Sequence, residues 1–201
     1  MSEAVFYFGG YRANQQDIDA WLRSARLQRP AIKFRGFPYP TGASSAGDSA
    51  VKAFGRDGKL DSVIDDIQKN DADTIYIVGH SSGCAISNAV DAGIDDPDKN
   101  TVLVALDGFS PSNAQLKRPS TQVWGAKCNG VPSRNLPSNP TGLLKDRLKV
   151  FIATNCTKMW PLHFSLVNAN ASNDLIGDDI TKGYANCRAN LLFLGRSMEL
   201  P

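Results

Sequence analysis

The chain has 201 residues, of which 42% are hydrophobic and 21% are charged, and its formal net charge is +2. This length predicts one globular domain, and the small charge gives no reason to expect a nucleic acid or an anionic membrane as a partner. No apolar run approaches the roughly 20 residues that span a bilayer, and the amino terminus has no basic segment followed by a long apolar core. We therefore expect a cytoplasmic protein without a signal peptide or a transmembrane segment.

Predicted strands and helices alternate from the amino terminus onward. Strands over 5–8 and 31–34 flank a helix that Asn14 caps, whose apolar residues recur at the spacing of one helix face. A connection rich in proline, glycine and serine follows over 38–47. The next apolar pattern predicts an amphipathic helix over 60–67.

The second half of the chain repeats this alternation. We predict strands over 74–78, 101–106 and 148–153, and a helix over 84–92 that ends at Gly93. A closing helix is predicted from five spaced apolar residues, which are Ile180, Tyr184, Cys187, Leu191 and Leu194. Together these elements predict an α/β fold, a three-layer sandwich around a central, mostly parallel sheet of five or slightly more strands, in one domain over 1–201.

The segment 108–147 interrupts the alternation. It contains five prolines and no sustained periodicity, and it leaves the carboxyl end of the fourth strand, the edge where α/β sheets bind ligands. We predict a long proline-rich loop insertion beside the active site. Trp124 and Phe109 are candidate substrate contacts, and Lys127 or Arg134 is a candidate polar contact. The alternative is that this segment lies on the protein surface without a role in binding, and that Trp124 is half-buried there.

The pentapeptide Gly79-His80-Ser81-Ser82-Gly83 is the strongest functional signal. A G-x-S-x-G pattern between a strand and a helix predicts a nucleophile elbow, with Ser81 as the nucleophile. A serine hydroxyl attacks only when a base takes its proton. His80 should point away from Ser81 into the fold. His163, the other of the two histidines in the chain, is therefore the predicted base.

A third residue should orient the histidine, and Asp107 is the candidate because it directly follows the fourth strand. The alternative role for Asp107 is a turn cap, since Asp-Gly is common in turns. Asp174 and Asp178 are the other candidate acids. The chain order serine, aspartate, histidine is the one expected for this architecture.

The reaction also needs donors for a developing oxyanion. We predict the backbone N–H of Ser82, at the start of the helix after the elbow, and the N–H of Tyr11 or Gly10 after the first strand. The alternative is a plain turn at Gly10 and Tyr11. No metal or organic cofactor is needed for this chemistry.

At these residues the chain resembles the α/β-hydrolase superfamily. The resemblance covers nearly the whole length, and the motif around Ser81 is its most specific part. It implies a nucleophile at Ser81, an acid at Asp107 and a base at His163, with oxyanion donors at Ser82 and Tyr11. We expect the chain to depart from the common pattern, with neither the leading antiparallel strands nor a helical cap, and with an acid after the fourth strand, an arrangement that resembles some lipases.

We expect a serine hydrolase that cleaves a carboxylic ester or thioester of a small-molecule or carrier-bound acyl group through an acyl-enzyme. The alternatives are a thioesterase or amidase, a non-catalytic binding protein on a hydrolase scaffold, and a flavodoxin-like nucleotide or flavin binder. The residues after the first strand lack the phosphate-binding pattern that the last alternative requires. The four cysteines are expected as free thiols, although Cys128 and Cys156 could form a bridge in an oxidising compartment. The sequence predicts no oligomeric state.

Overall fold

The structure, a computed structural model, describes residues 1–154 and 156–195. Within these two stretches the strands are β1 (Glu3–Phe8), β2 (Lys33–Phe37), β3 (Thr74–His80), β4 (Thr101–Leu106), β5 (Gln122–Cys128), β6 (Val131–Pro132) and β7 (Leu148–Ile152). The helices are α1 (Gln15–Gln28), α2 (Gly47–Phe54), α3 (Lys59–Gln68), α4 (Gly83–Ala92), α5 (Asn113–Leu116), α6 (Gly142–Arg147), α7 (Met159–Ser165) and α8 (Asn173–Ile176). No helix in the described ranges is long and apolar enough to cross a membrane.

The strands form a single, mostly parallel sheet. Its order is β2-β1-β3-β4-β5, with β7 beside β5, and all of these neighbours pair in parallel. The short β6 pairs antiparallel with the end of β5. Helices flank the sheet, which confirms the predicted α/β class with a sheet somewhat larger than five strands.

The core lies against the central strands. β1, β3 and β4 are almost continuously buried, as expected for parallel strands that are covered on both faces. The Tyr7 ring of β1 stacks on Trp21 of α1, with ring centroids 4.1 Å apart. Asn14 caps α1 as predicted, because its side chain accepts from the N–H of Asp17 while the Asp17 carboxylate accepts from the N–H of Asn14.

The segment 108–147 is not the long loop that the prolines suggest. It contributes β5, which pairs with both β4 and β7, and the helices α5 and α6. The prolines lie outside β5, so that they leave its hydrogen-bonding ladder intact.

The predicted closing helix over 180–194 is also wrong. The structure has single 3-10 turns at Ile180–Lys182 and Leu192–Leu194, with irregular backbone between them. The backbone N–H groups of Arg188 and Ala189 donate to the side chains of Asn168 and Ser24 instead of to a helical turn. These tertiary hydrogen bonds replace the ones that a helix would have made.

Candidate active site

The candidate site lies at the carboxyl ends of the central strands. β2 pairs with one edge of β1, and β3 pairs with the other edge. The connections that follow β1 and β3 therefore run in opposite directions along the sheet, and a crevice opens between the two strands. Ligands of open α/β sheets bind in the crevice at such a point. Gly10 and Tyr11 follow β1 there, and Ser81 follows β3.

Ser81 lies on a sharp turn between β3 and α4. Its φ is +54°, in the left-handed region that non-glycine residues rarely adopt. The two glycines of the motif make this turn possible. A Cβ on Gly79 would lie 2.5 Å from Cα of Cys84, and a Cβ on Gly83 would lie 2.5 Å from the carbonyl oxygen of Phe8. Strand and helix therefore approach each other too closely for side chains at these two positions.

His163 and Asp107 form a buried pair. His163 Nδ1 is hydrogen-bonded to Asp107 Oδ2, and the two residues are 1% and 2% exposed. Nδ1 therefore carries the proton, because an ionised carboxylate can only accept, and Nε2 is left as the free ring nitrogen. Of the three candidate acids, Asp107 contacts His163, whereas Asp174 and Asp178 are exposed. His163 lies in the helix α7, whose first turn contains Pro161, a position at which a helix tolerates proline.

Two residues that the sequence analysis missed hold the Asp107 carboxylate. Its Oδ1 accepts from the hydroxyl of Ser133 at 2.9 Å and from the backbone N–H of Asn135 at 3.1 Å. The Asn135 side chain also donates to the Asp107 carbonyl at 2.6 Å. Asp107 has a φ of +47°, and Gly108 lies so close to the elbow that a Cβ would meet the Ser81 carbonyl at 2.0 Å. The turn after β4 is therefore packed directly against Ser81.

His80 points into the core, as expected. It is fully buried, and its ring centroid lies 4.5 Å from that of His163. Burial, together with the neighbouring His163, lowers the pKa of His80 well below its usual value of 6.5. Its Nε2 donates to the His163 carbonyl at 3.3 Å, and its Nδ1 accepts from the Tyr184 hydroxyl at 3.0 Å. The neutral His80 thus holds α7 in place through its hydrogen bond to the His163 carbonyl.

Two backbone N–H groups beside Ser81 are free to bind an anion. In the described chain, neither the N–H of Tyr11 nor that of Ser82 has a protein acceptor. The N–H of Gly10 donates to the Tyr184 hydroxyl at 3.4 Å, so of the two residues predicted after β1, Tyr11 is the one with a free donor. A Cβ on Gly10 would lie 2.7 Å from Cβ of Ser81, which shows how closely this loop approaches the elbow.

A cavity of about 130 Å³ opens beside the elbow. Its lining residues are Tyr11, Ser45, Ser81, Ser82, Gly108, Phe109, Arg134, Asn135, Trp160 and Ile180. Phe109 and Arg134 line it, whereas the other two candidate contacts, Trp124 and Lys127, do not. Trp124 lies in β5, where its indole N–H donates to Gln122 at 2.9 Å. Trp160, which the sequence analysis did not select, contacts His163 edge to face with centroids 5.6 Å apart.

Within the described chain, Ser81 makes no hydrogen bond to His163, and no group of three or more His, Cys, Asp or Glu residues is arranged to hold a metal ion. All four cysteines are free thiols. Cys128 and Cys156 pack in one small cluster with Ala153 and Leu162.

No protein-family model matches the chain, and no curated protein matches it. Several solved structures do. A predicted CIB-like hydrolase from Thermoplasma acidophilum is 17% identical, with 76% of each chain covered and a TM-score of 0.46. An extracellular α/β-hydrolase from a Paenibacillus species is 21% identical over 56% of this chain and 43% of that chain, with a TM-score of 0.37. An acetyl xylan esterase is 12% identical over 94% of this chain and 99% of that chain, with a TM-score of 0.44.

Proposed function

We propose that the protein is a serine hydrolase that cleaves the acyl bond of a carboxylic ester or thioester. The observation that carries the proposal is the position of Ser81 on a strained turn, at the wall of a cavity, beside two free N–H groups and a buried Asp107–His163 pair. Residues with strained backbone angles are found preferentially at active sites, where the surrounding structure holds them in that conformation.

In the proposed reaction, the Ser81 hydroxyl attacks the acyl carbonyl and His163 Nε2 takes its proton. Asp107 keeps the ring in the tautomer that leaves Nε2 free and stabilises the charged ring that forms. The N–H groups of Tyr11 and Ser82 bind the oxyanion. His163 then protonates the leaving alcohol or thiol, and it activates the water that releases the acyl group from Ser81.

The lack of a Ser81–His163 hydrogen bond in the described chain does not argue against this assignment. Catalytic hydrogen bonds are often long or poorly aligned before substrate binds and tighten in the complex. A binding protein on the same scaffold would not need a buried histidine that is held by a carboxylate and keeps Nε2 free. An anchored acid–base pair is costly to bury and is expected where it performs proton transfer.

A fluorophosphonate probe tests the proposal, because it reacts covalently with activated serines. The wild-type protein should be labelled at Ser81, and Ser81→Ala and His163→Ala should both lose the label. Ser62→Ala, on the exposed face of α3, is the matched control and should label like the wild type. A folded wild-type protein that stays unlabelled contradicts the proposal.

Matched substrates separate the possible acyl bonds. We expect an aryl ester and its thioester analogue to be hydrolysed and the corresponding anilide to be hydrolysed far more slowly, since an amide has the poorest leaving group. Faster cleavage of the anilide would assign the protein as an amidase instead.

A further inference from the structure

The cavity beside Ser81 contains one charged side chain among its described lining residues, Arg134. Arg134 is exposed, and no carboxylate of the described chain lies within ion-pair distance of its guanidinium group. None of the other described lining residues carries a charge, and the nearby Asp107 carboxylate is taken up by His163, Ser133 and Asn135. The electrostatic potential at this wall therefore favours an anion.

The backbone on both sides of Arg134 is anchored. The residue before it, Ser133, and the residue after it, Asn135, both donate to Asp107 Oδ1. The N–H of Ser133 also donates to the Ala126 carbonyl at 2.6 Å. The backbone of Arg134 is therefore fixed relative to the Asp107–His163 pair. This reduces the conformational entropy that Arg134 loses when it binds a ligand.

The side chain of Arg134 also has a defined position. Its guanidinium carbon lies 5.2 Å from the centroid of the Trp160 ring, and Trp160 in turn contacts His163. A guanidinium group that lies over an aromatic ring can still use its N–H groups for two parallel hydrogen bonds to a carboxylate or phosphate. The cation is thus held on the His163 side of the cavity.

We propose that Arg134 binds an anionic group on the leaving-group side of the substrate. This inference rests on the proposed function, in which His163 protonates the departing alcohol or thiol. The leaving group must then lie next to His163, and therefore near the Trp160 ring and the guanidinium group that lies over it. The substrate class is an ester or thioester whose leaving alcohol or thiol carries a carboxylate or a phosphate.

Three acetate esters of equal ring size test this inference, namely those of 4-hydroxybenzoate, 4-hydroxybenzamide and 4-hydroxyphenyl phosphate. A hydrogen bond to a charged group contributes enough for about a 10- to 100-fold preference. We expect kcat/KM of the wild type for the two anionic esters to exceed that for the amide by this factor. The relative size of the two anionic values distinguishes a carboxylate from a phosphate ligand.

Arg134→Gln should bring this ratio close to one, with the loss for the anionic esters mainly in KM because the contact does not involve the reacting atoms. Arg134→Lys should retain part of the preference, since it keeps the charge and loses the planar fork. Arg23→Gln, which removes an exposed charge on α1, is the matched control. An unchanged ratio in Arg134→Gln, or an equal loss for all three esters, overturns the inference.

Binding of the product phenols, measured by calorimetry, gives a readout that does not require turnover. 4-Hydroxybenzoate should bind about 10-fold more tightly than 4-hydroxybenzamide to the wild type, and this difference should disappear in Arg134→Gln. Equal binding of the two phenols to the wild type overturns the inference. Failure of fluorophosphonate labelling, by contrast, would contradict the hydrolase assignment while the phenols still decide whether Arg134 forms an anion site.

Discussion

The buried hydroxyl of Tyr184 connects three groups next to the elbow. It donates to His80 Nδ1 at 3.0 Å, and it is 3.0 Å from the hydroxyl of Tyr7 and 3.4 Å from the N–H of Gly10. Because Tyr184 donates to His80, it accepts from Tyr7 and Gly10. Tyr184→Phe keeps the packing of the ring and removes all three hydrogen bonds.

The cost of this substitution follows from burial. Tyr7 and His80 are both fully buried, so neither the Tyr7 hydroxyl nor His80 Nδ1 can turn to solvent when its partner is removed. A buried polar group without a partner costs about 1–3 kcal/mol, which gives about 2–6 kcal/mol for the two. The long Gly10 bond is left out of this sum. For a chain of this size we expect Tm to fall by about 4–24 °C.

Urea unfolding of the single and double variants tests the reasoning. In Tyr7→Phe/Tyr184→Phe no Tyr7 hydroxyl remains to lose its partner, so the double variant should cost about 1–3 kcal/mol less than the sum of the single ones. Tyr39→Phe, whose hydroxyl donates to the Ser44 carbonyl at 2.6 Å, is the control and should cost about 1 kcal/mol. Costs for Tyr7 and Tyr184 that add within about 0.5 kcal/mol would show that the two hydroxyls do not depend on each other, and would refute this account.

Three further predictions concern the cap, the acid and the buried histidine. Asn14→Ala removes the cap of α1 and should lower the free energy of unfolding by about 1 kcal/mol, with fluorophosphonate labelling unchanged. Asp107→Asn should lower kcat about 10⁴-fold for the best ester found, because the amide favours the wrong tautomer of His163; near wild-type kcat would exclude Asp107 as the acid. The pKa of His80 is lower in the folded than in the unfolded chain, so below about pH 6.5 the unfolded state binds the extra proton and folding stability is lost as pH falls. His80→Gln should reduce the slope of unfolding free energy between pH 7 and 5 by up to about 1.4 kcal/mol per pH unit, and an unchanged slope would contradict this.

Local patterns predicted the elements that carry the site. The run before Gly79 is apolar and β-branched and forms β3, and the predicted strand over 101–106 matches β4 residue for residue. These two strands place Ser81 and Asp107 at one edge of the sheet. The capping pattern at Asn14 also predicted the start of α1 correctly, because the cap is made between neighbours in sequence.

Features that depend on distant contacts were not predictable in this way. β5 has no clear alternation of apolar and polar residues, and its pairing with β4 and β7 determines that it is a strand. The roles of Ser133 and Asn135 follow from the β5–β6 hairpin, which brings them back to Asp107 across 26 and 28 residues of chain. A serine or asparagine in a proline-rich segment gives no signal of such a contact.

The tight approach of Gly10 to Ser81 has a consequence for how this site can diversify. The loop after β1 lies so close to the elbow at Gly10 that no side chain fits there. Even a methyl group at Gly10 would collide with Ser81. In the proposed reaction, substitutions there would change the spacing between Ser81 and the N–H of Tyr11, and so would affect every substrate alike. Under the same proposal, new substrate preferences are expected to arise at the lining residues Phe109, Arg134, Trp160 and Ile180, whose side chains can change without altering that spacing.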